Sequence, residues 1–166
     1  MAEGKLTMLG VSQKRPSRIH HLVKAPANTS WAQEKKYSWD AKHPATVYYT
    51  PETLADGTPT TALTVILRTK GCHWWWSSGC TFCGYFNDTR DDVTSEDLHA
   101  QWEKSLARFD DLDSMGMVKV YTSGSLLEDR EIPLDFQERV LRECHEMGKE
   151  LVVESRTEQL TKAKLE

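Results

Sequence analysis

The sequence predicts an α/β fold built around a parallel sheet. Three short segments rich in Val, Ile and Leu are predicted to be buried strands, at 61–68, 117–122 and 151–153. Two longer segments between them carry apolar residues at helical spacing. The resulting order of strand, helix, strand, helix and strand is typical of parallel sheets with right-handed crossover connections.

The first helix is predicted to begin at Thr94. Thr94 and Asp97 have the spacing of a capping box, in which the two side chains satisfy each other's backbone amides. Leu98, Trp102 and Leu106 then recur at helical spacing and predict the buried face of this helix.

The second helix is predicted to start around Pro133, because proline suits the first turn of a helix. Gly148 lies where a C-terminal cap is expected. The predicted apolar face consists of Phe136, Val140, Leu141, Cys144 and Met147. Cys144 is therefore expected to be a small buried hydrophobic residue rather than a ligand.

The composition indicates a globular protein with a modest core. The chain has 166 residues, of which 39% are hydrophobic and 28% charged. A net charge of −4 argues against strong non-specific attraction to nucleic acid. No apolar run reaches the roughly 18 residues of a membrane span, and the first residues lack the layout of a secretion signal. We therefore expect a cytoplasmic protein without membrane contacts.

Residues 1–60 are predicted to form an irregular N-terminal extension that precedes a domain at 61–166. Five of the six prolines lie in this stretch, and proline cannot donate to a helix or a strand ladder. Asp56 and Gly57 mark a turn. A short helix is predicted around 31–36, and the basic residues between 14 and 24 are expected to belong to a solvated arm.

Three cysteines follow the first predicted strand in the arrangement C-x7-C-x2-C. Cys72, Cys80 and Cys83 suit an iron–sulfur cluster that keeps one iron without a protein ligand. A zinc site would need a fourth ligand, such as His73, Cys144 or His145. Cys80 and Cys83 could alternatively form a redox pair. The spacing by itself leaves these three possibilities open.

Two further turns fall at the same end of the predicted sheet as the cysteines. Ser123-Gly124-Ser125 follows the second strand, and Glu154-Ser155-Arg156 follows the third. Because the carboxyl ends of parallel strands carry the chemistry in such folds, the three turns are expected to share one site. The run Trp74-Trp75-Trp76 is expected to shield that site from water.

Four segments resemble, in order, the radical SAM family of archaeosine biosynthesis, which is related to the radical SAM domain of the Elongator catalytic subunit. They read ILRTKGC at 66–72, GCTFCGY at 79–85, YTSGS at 121–125 and VESR at 153–156. The fold implied by this resemblance is the N-terminal half of a partial (β/α) radical SAM barrel, with parallel strands and crossover helices.

The resemblance also implies cofactors and site residues. Cys72, Cys80 and Cys83 would hold a [4Fe-4S] cluster, and S-adenosylmethionine would bind its free iron. The residues implied to contact that cofactor are Tyr85, Ser123, Gly124, Ser125, Glu154, Ser155 and Arg156.

The reaction implied by the resemblance is a step of tRNA modification. A radical would cleave a C–N bond in a lysine adduct of a 7-deazaguanine base in tRNA and thereby form archaeosine. The implied partner is the lysine-transferring subunit of archaeosine synthase.

The three predicted strands amount to part of a barrel, so the chain is expected to be a cluster-binding N-terminal part with an open sheet edge. The alternatives are a non-catalytic module that binds zinc or a cluster, and an inactive remnant of the enzyme.

Overall fold

The computed structural model describes residues 39–78 and 83–165. Its elements are β1 (Thr46–Thr53), β2 (Pro59–Ile66), α1 (His73–Ser78), α2 (Ser95–Leu106), β3 (Met117–Tyr121), α3 (Leu134–Glu146), β4 (Glu150–Val153) and α4 (Lys162–Leu165). The predicted α/β class is confirmed. The predicted helix at 31–36 and the basic arm lie outside the described residues.

The described strands form one four-stranded sheet in the order β1-β2-β3-β4. β2 pairs with β3 and β3 with β4, both in parallel, as the sequence predicts. β1 pairs with β2 in the antiparallel sense. A mostly parallel sheet with crossover helices is common to many α/β proteins, so the radical SAM half-barrel stays a prediction.

β1 is an element that the sequence does not predict. It lies within the stretch 1–60, where an irregular extension is expected, and it forms a hairpin with β2 around Asp56 and Gly57. Val47 is the one buried residue of the strand, so β1 lacks a clear alternation of apolar and polar residues. Pro51 also argues against a strand, but proline is tolerated on an edge strand such as this one.

Both helix predictions are confirmed. Thr94 Oγ1 accepts a hydrogen bond from the amide of Asp97 at 3.2 Å, and the Thr94 amide donates to Asp97 Oδ2 at 2.9 Å. α3 begins directly after Pro133, and the amide of Gly148 donates to the carbonyl of His145 beyond its last turn. Thr94 therefore marks the start of α2, and Pro133 and Gly148 mark the two ends of α3.

One hydrophobic cluster joins α2 and α3 to the parallel strands. Trp102 and Phe136 are fully buried in it, and Cys144 is 1% exposed, as predicted. The indole Nε1 of Trp102 donates to Glu143 at 2.7 Å, which satisfies its polar atom. The core thus fixes the strand ends from which the polar turns extend. In the described ranges, no helix combines the length and apolar character that a bilayer span requires.

Candidate functional site

The cysteine loop and the two polar turns meet at one edge of the sheet. Arg156, after β4, donates from Nη1 to Cys72 Sγ, after β2, at 3.2 Å. The hydroxyl oxygens of Ser125 and Ser155 are 2.8 Å apart. The amide of Leu126 donates to the carbonyl of Glu154 at 3.0 Å. The expectation that the three turns share one site therefore agrees with the geometry.

Glu131 connects all three turns through a buried carboxylate. Its Oε1 accepts from the amide of His73 and from Nη1 of Arg156, each at 2.6 Å. Its Oε2 accepts from the amide of Ser125, also at 2.6 Å. Since Glu131 is 3% exposed, these bonds to an ionised group lie away from competing water. They fix the relative positions of the cysteine loop and the turns after β3 and β4.

A second buried carboxylate, Glu128, balances the charge of this network. It accepts hydrogen bonds from Arg130, from Nη2 of Arg156 and from Gln159, at 2.8–2.9 Å. The hydrogen bonds from Arg130 lower the pKa of Glu128 to about 2, against the opposing effect of burial. Burial disfavours the charge of Arg156, but its bonds to Glu131 and Glu158 hold its pKa above the usual value. Glu128 and both arginines therefore stay charged at neutral pH.

Glu128 and Glu131 are not among the site residues that the sequence predicts. Both lie in the charged segment 128–131, which resembles a solvated loop. One signal was present: the two glutamates are three residues apart and are flanked by Leu127 and Ile132, which are both buried. Glutamates are almost never fully buried unless they are paired, so apolar neighbours on both sides indicate that these two carboxylates have partners.

Two glycines let the chain approach itself closely at this edge. Gly71 adopts φ +89° directly before Cys72, a conformation that other residues rarely adopt. A Cβ on Gly124 would collide with Glu131 and would lie 3.1 Å from the Cα of Cys72. The turn after β3 can therefore lie against the cysteine loop because residue 124 has no side chain.

A cavity of about 310 Å³ opens where the turns meet. Its lining includes Cys72, Cys83, Tyr85, Ser123, Gly124, Glu154 and Arg156, together with Trp74, Trp75 and Thr122. Most of the predicted site residues therefore face one space. Ser125 and Ser155 are not among its lining residues, and their hydroxyl groups bond to each other. Cys80 lies outside the described residues.

The described lining fits a metal centre held by thiolates. Cys72 and Cys83 are unpaired by disulfides and face the same cavity, and a guanidinium donates to the Cys72 sulfur. Within 39–78 and 83–165, no three His, Cys, Asp or Glu side chains are placed to hold a metal ion. That range leaves out Cys80, the third thiol of the motif.

The structure weakens the case for zinc by engaging the candidate fourth ligands elsewhere. Nε2 of His73 lies 2.8 Å from Nη1 of Arg130. Cys144 lies in the core, where burial raises the pKa of its thiol to about 11, so it stays protonated and unreactive. His145 is exposed at the end of α3 that leads into β4, away from the carboxyl ends of the strands.

Glu154 is the acidic residue that faces the cavity. Burial raises the pKa of its carboxyl group, although a backbone hydrogen bond with Thr122 opposes this shift. A partly desolvated carboxylate gains from pairing with a cation or a hydroxyl donor. Glu154 is therefore suited to bind a polar or cationic group of a ligand.

Two proteins named archaeosine synthase subunit beta are similar in sequence to this chain. It is 34% identical to the archaeosine synthase subunit beta of Methanosarcina acetivorans over 116 residues, which is 68% of this chain and 33% of that protein. It is 30% identical to the archaeosine synthase subunit beta of Thermococcus kodakarensis over 115 residues, 67% of this chain and 36% of that protein.

A third relative is an uncharacterized protein of Methanocaldococcus jannaschii, 32% identical over 139 residues, 80% of this chain and 38% of that protein. The chain thus spans about a third of the length of the curated relatives it matches. No family model and no solved structure matches the chain.

Proposed function

We propose that this chain is the cofactor-binding part of a radical SAM enzyme that acts in archaeosine formation in tRNA. One structural observation carries the proposal. Cys72, Cys83 and the turns after β3 and β4 line one cavity at the carboxyl ends of parallel strands. The likeness to two proteins named archaeosine synthase subunit beta supports the same pathway.

Cys72, Cys80 and Cys83 would hold a [4Fe-4S] cluster. Bound there with S-adenosylmethionine, the cluster would supply the electron that generates the radical needed for C–N bond cleavage. Arg156, which donates to Cys72 Sγ at 3.2 Å, would stabilise the negative charge of a cluster sulfur at this position. Glu131 keeps Arg156 in place by accepting from the same nitrogen atom.

The predicted cofactor-binding residues have two roles: some can contact the cofactor, and others hold the turns in position. Ser123, Gly124, Glu154 and Tyr85 face the space that S-adenosylmethionine would occupy and can contact it directly. Ser125 instead supports the turn, because its amide is bonded to Glu131 and its hydroxyl to Ser155. We therefore assign contact with the cofactor to the first group and positioning to Ser125 and Ser155.

The aromatic side chains beside the cluster would restrict the access of water. Trp74 and Trp75 both line the cavity. Trp75 packs edge-on against Trp76, with ring centroids 5.4 Å apart. Excluding water from a site helps to prevent side reactions of reactive intermediates.

A second subunit would complete the reaction. Both named relatives are called subunit beta, and we propose that another subunit attaches the lysine before this chain acts. The net charge of −4 gives the chain little attraction for tRNA phosphates of its own. We therefore assign most phosphate contacts to the partner or to other parts of the enzyme.

Anaerobic reconstitution with iron and sulfide tests the metal centre. We expect the chain to retain about four iron and four sulfide per polypeptide, with the broad visible absorbance of such a cluster. Cys80→Ala should lose both. Cys144→Ala is the matched control, because it removes a thiol that lies in the core. Retention of zinc without iron, or equal iron in the Cys80→Ala variant, would contradict the proposal.

A further inference from the structure

A cavity of about 380 Å³ opens at the amino ends of the parallel strands, opposite the edge that carries the cysteine loop. Thr61, near the start of β2, and Met115, just before β3, both line it. Ile66, at the carboxyl end of β2, lies about 17 Å further along the strand than Thr61. A molecule bound in this cavity would therefore leave the cysteine cavity open.

Two aromatic rings form the apolar part of this cavity. Tyr49 of β1 and Phe109, beyond the end of α2, are in edge-to-face contact, with ring centroids 5.4 Å apart. Val47 lies on the same face of β1 as Tyr49, because it is two residues away along the strand. Val47 is 4% exposed, whereas Tyr49 is 61% exposed. The apolar face of β1 therefore opens to solvent at Tyr49, whose ring is of the kind enriched at protein interfaces.

Carboxylates lie beside these rings. Asp110 and Asp111 line the same cavity, and both are exposed. Aromatic faces attract cations, and carboxylates form charge-assisted hydrogen bonds with them. The guanidinium carbon of Arg108 lies 6.0 Å from the centroid of the Phe109 ring, so one cation of the chain itself already approaches the groove. This lining favours a basic side chain and disfavours phosphate.

We infer that this aromatic groove, formed by Tyr49, Phe109, Asp110 and Asp111, docks a basic side chain of the second subunit. The inference rests on the proposed function, because that function requires a subunit that transfers lysine and supplies most contacts with tRNA phosphates. A surface that contacts phosphates is rich in lysine and arginine. Such a subunit is complementary in charge to the groove and to a chain with a net charge of −4.

Arginine suits the groove better than lysine. Its planar guanidinium can stack on an aromatic ring and pair with a carboxylate at the same time. Tyr49 would supply the ring, and Asp110 the carboxylate. Docking at this end of the sheet leaves the carboxyl ends of the strands free for the cofactor and the substrate, so the two ends of the sheet have separate roles.

Calorimetric titration with the lysine-transferring subunit of archaeosine synthase, purified separately, tests the inference. Tyr49→Ala should weaken binding by about tenfold, because it removes the ring at the centre of the groove. Asp110→Asn should weaken binding by about threefold. Arg108→Ser should instead strengthen it by about threefold, because it removes a positive charge that competes beside Phe109. A general loss of folding would not change affinity in these two opposite directions.

Tyr48 provides a matched control for Tyr49. Successive residues of a strand point to opposite faces of the sheet. Tyr48 accordingly lines another cavity, of about 500 Å³, beside the carboxyl end of β2. It is 41% exposed, so its ring is also accessible. Tyr48→Ala removes the same side chain from the same strand and should leave the affinity for the subunit unchanged.

Three results with the subunit would overturn the inference. They are no detectable binding, equal losses in Tyr48→Ala and Tyr49→Ala, and reversed effects of Asp110→Asn and Arg108→Ser. Circular dichroism identifies any variant that fails to fold, and the two charge changes lie at exposed positions, which keeps the test informative in that case.

Other occupants of the groove would also overturn the inference. Self-association of the chain alone that Tyr49→Ala abolishes would assign the groove to a second copy. Tighter binding of the subunit after neutralisation of the basic residues between 14 and 24 would assign it to the basic arm of the chain itself. Cluster content is measured in the same preparation. A loaded cluster without subunit binding overturns this inference alone, whereas subunit binding without a cluster overturns the proposed cofactor role instead.

Discussion

Arg156 donates a hydrogen bond from Nη1 to Sγ of Cys72, across 3.2 Å and between residues that are 84 positions apart in the chain. The bond joins the end of β4 to the loop after β2. Hydrogen bonds to cluster sulfurs are one of the means by which a protein sets a reduction potential. Under the proposed function, Arg156 would therefore both position the Cys72 loop and influence the reduction potential of a bound cluster.

Replacing Arg156 should change the cluster without abolishing it. In Arg156→Lys the positive charge remains, but the planar fork that contacts Cys72, Glu131 and Glu128 together is lost. We expect iron content to be retained and the reduction potential to fall, because a hydrogen bond to sulfur stabilises the reduced cluster. Redox titration followed by absorbance measures the shift. An unchanged potential in a folded, loaded variant would contradict the assigned role.

Glu131→Gln should destabilise the protein by about 1.5–3 kcal/mol, the range for hydrogen bonds to charged groups. A glutamine has a single acceptor oxygen, so the amides of His73 and Ser125 and the guanidinium of Arg156 cannot all be satisfied. Urea unfolding followed by circular dichroism measures the change. Glu138→Gln, at an exposed position on α3, is the matched control and should stay within about 0.5 kcal/mol of the parent.

The stability of the protein should depend on the charge of Glu128. Its pKa is lowered to about 2 in the folded protein, from a usual value of 4.5. Because the folded-state pKa is the lower one, the stabilisation is fully present above pH 4.5 and is lost as the pH falls towards 2. Urea unfolding at a series of pH values should show this decline. The decline should be smaller in Glu128→Gln, and an equally steep curve in that variant would contradict the assignment.

Gly124→Ala should disturb the edge where the turns meet. The added methyl group would collide with Glu131 and press on the backbone of Cys72. We expect a loss of about 1–3 kcal/mol in the free energy of unfolding and reduced iron retention after reconstitution. Gly84→Ala is the control, because a Cβ at that position meets nothing within 4 Å. Equal effects of the two substitutions would show that the close contact at Gly124 has no special importance.

The parallel part of the sheet could be predicted because its signals are local and strong. β2 and β3 are largely buried and contain β-branched residues such as Val65, Val118 and Val120. The helices between the strands carry capping residues at Thr94 and Gly148. The meeting of the turns follows from the order of the elements, since parallel strands end at the same edge. Cys144 could be assigned to the core from its helical spacing alone.

The rest of the site depends on contacts between distant residues, for which the sequence has no local signal. β1 is an edge strand that buries Val47 and little else, so its pairing with β2 leaves no alternating pattern. Glu131 is a charged residue in a charged segment, and its partners His73 and Arg156 lie 58 and 25 positions away. A cavity of about 500 Å³ that Tyr48 of β1 lines, beside the ends of β2 and β3, could not be predicted for the same reason.

The central claim is that the cavity at Cys72 and Cys83 binds a cluster whose free iron holds S-adenosylmethionine. Electron paramagnetic resonance of the reconstituted, dithionite-reduced chain tests this most directly. We predict the signal of a reduced four-iron cluster, and a change in its g-values when S-adenosylmethionine is added. A zinc-loaded chain without such a signal, or a cluster signal that S-adenosylmethionine leaves unchanged, would contradict the claim.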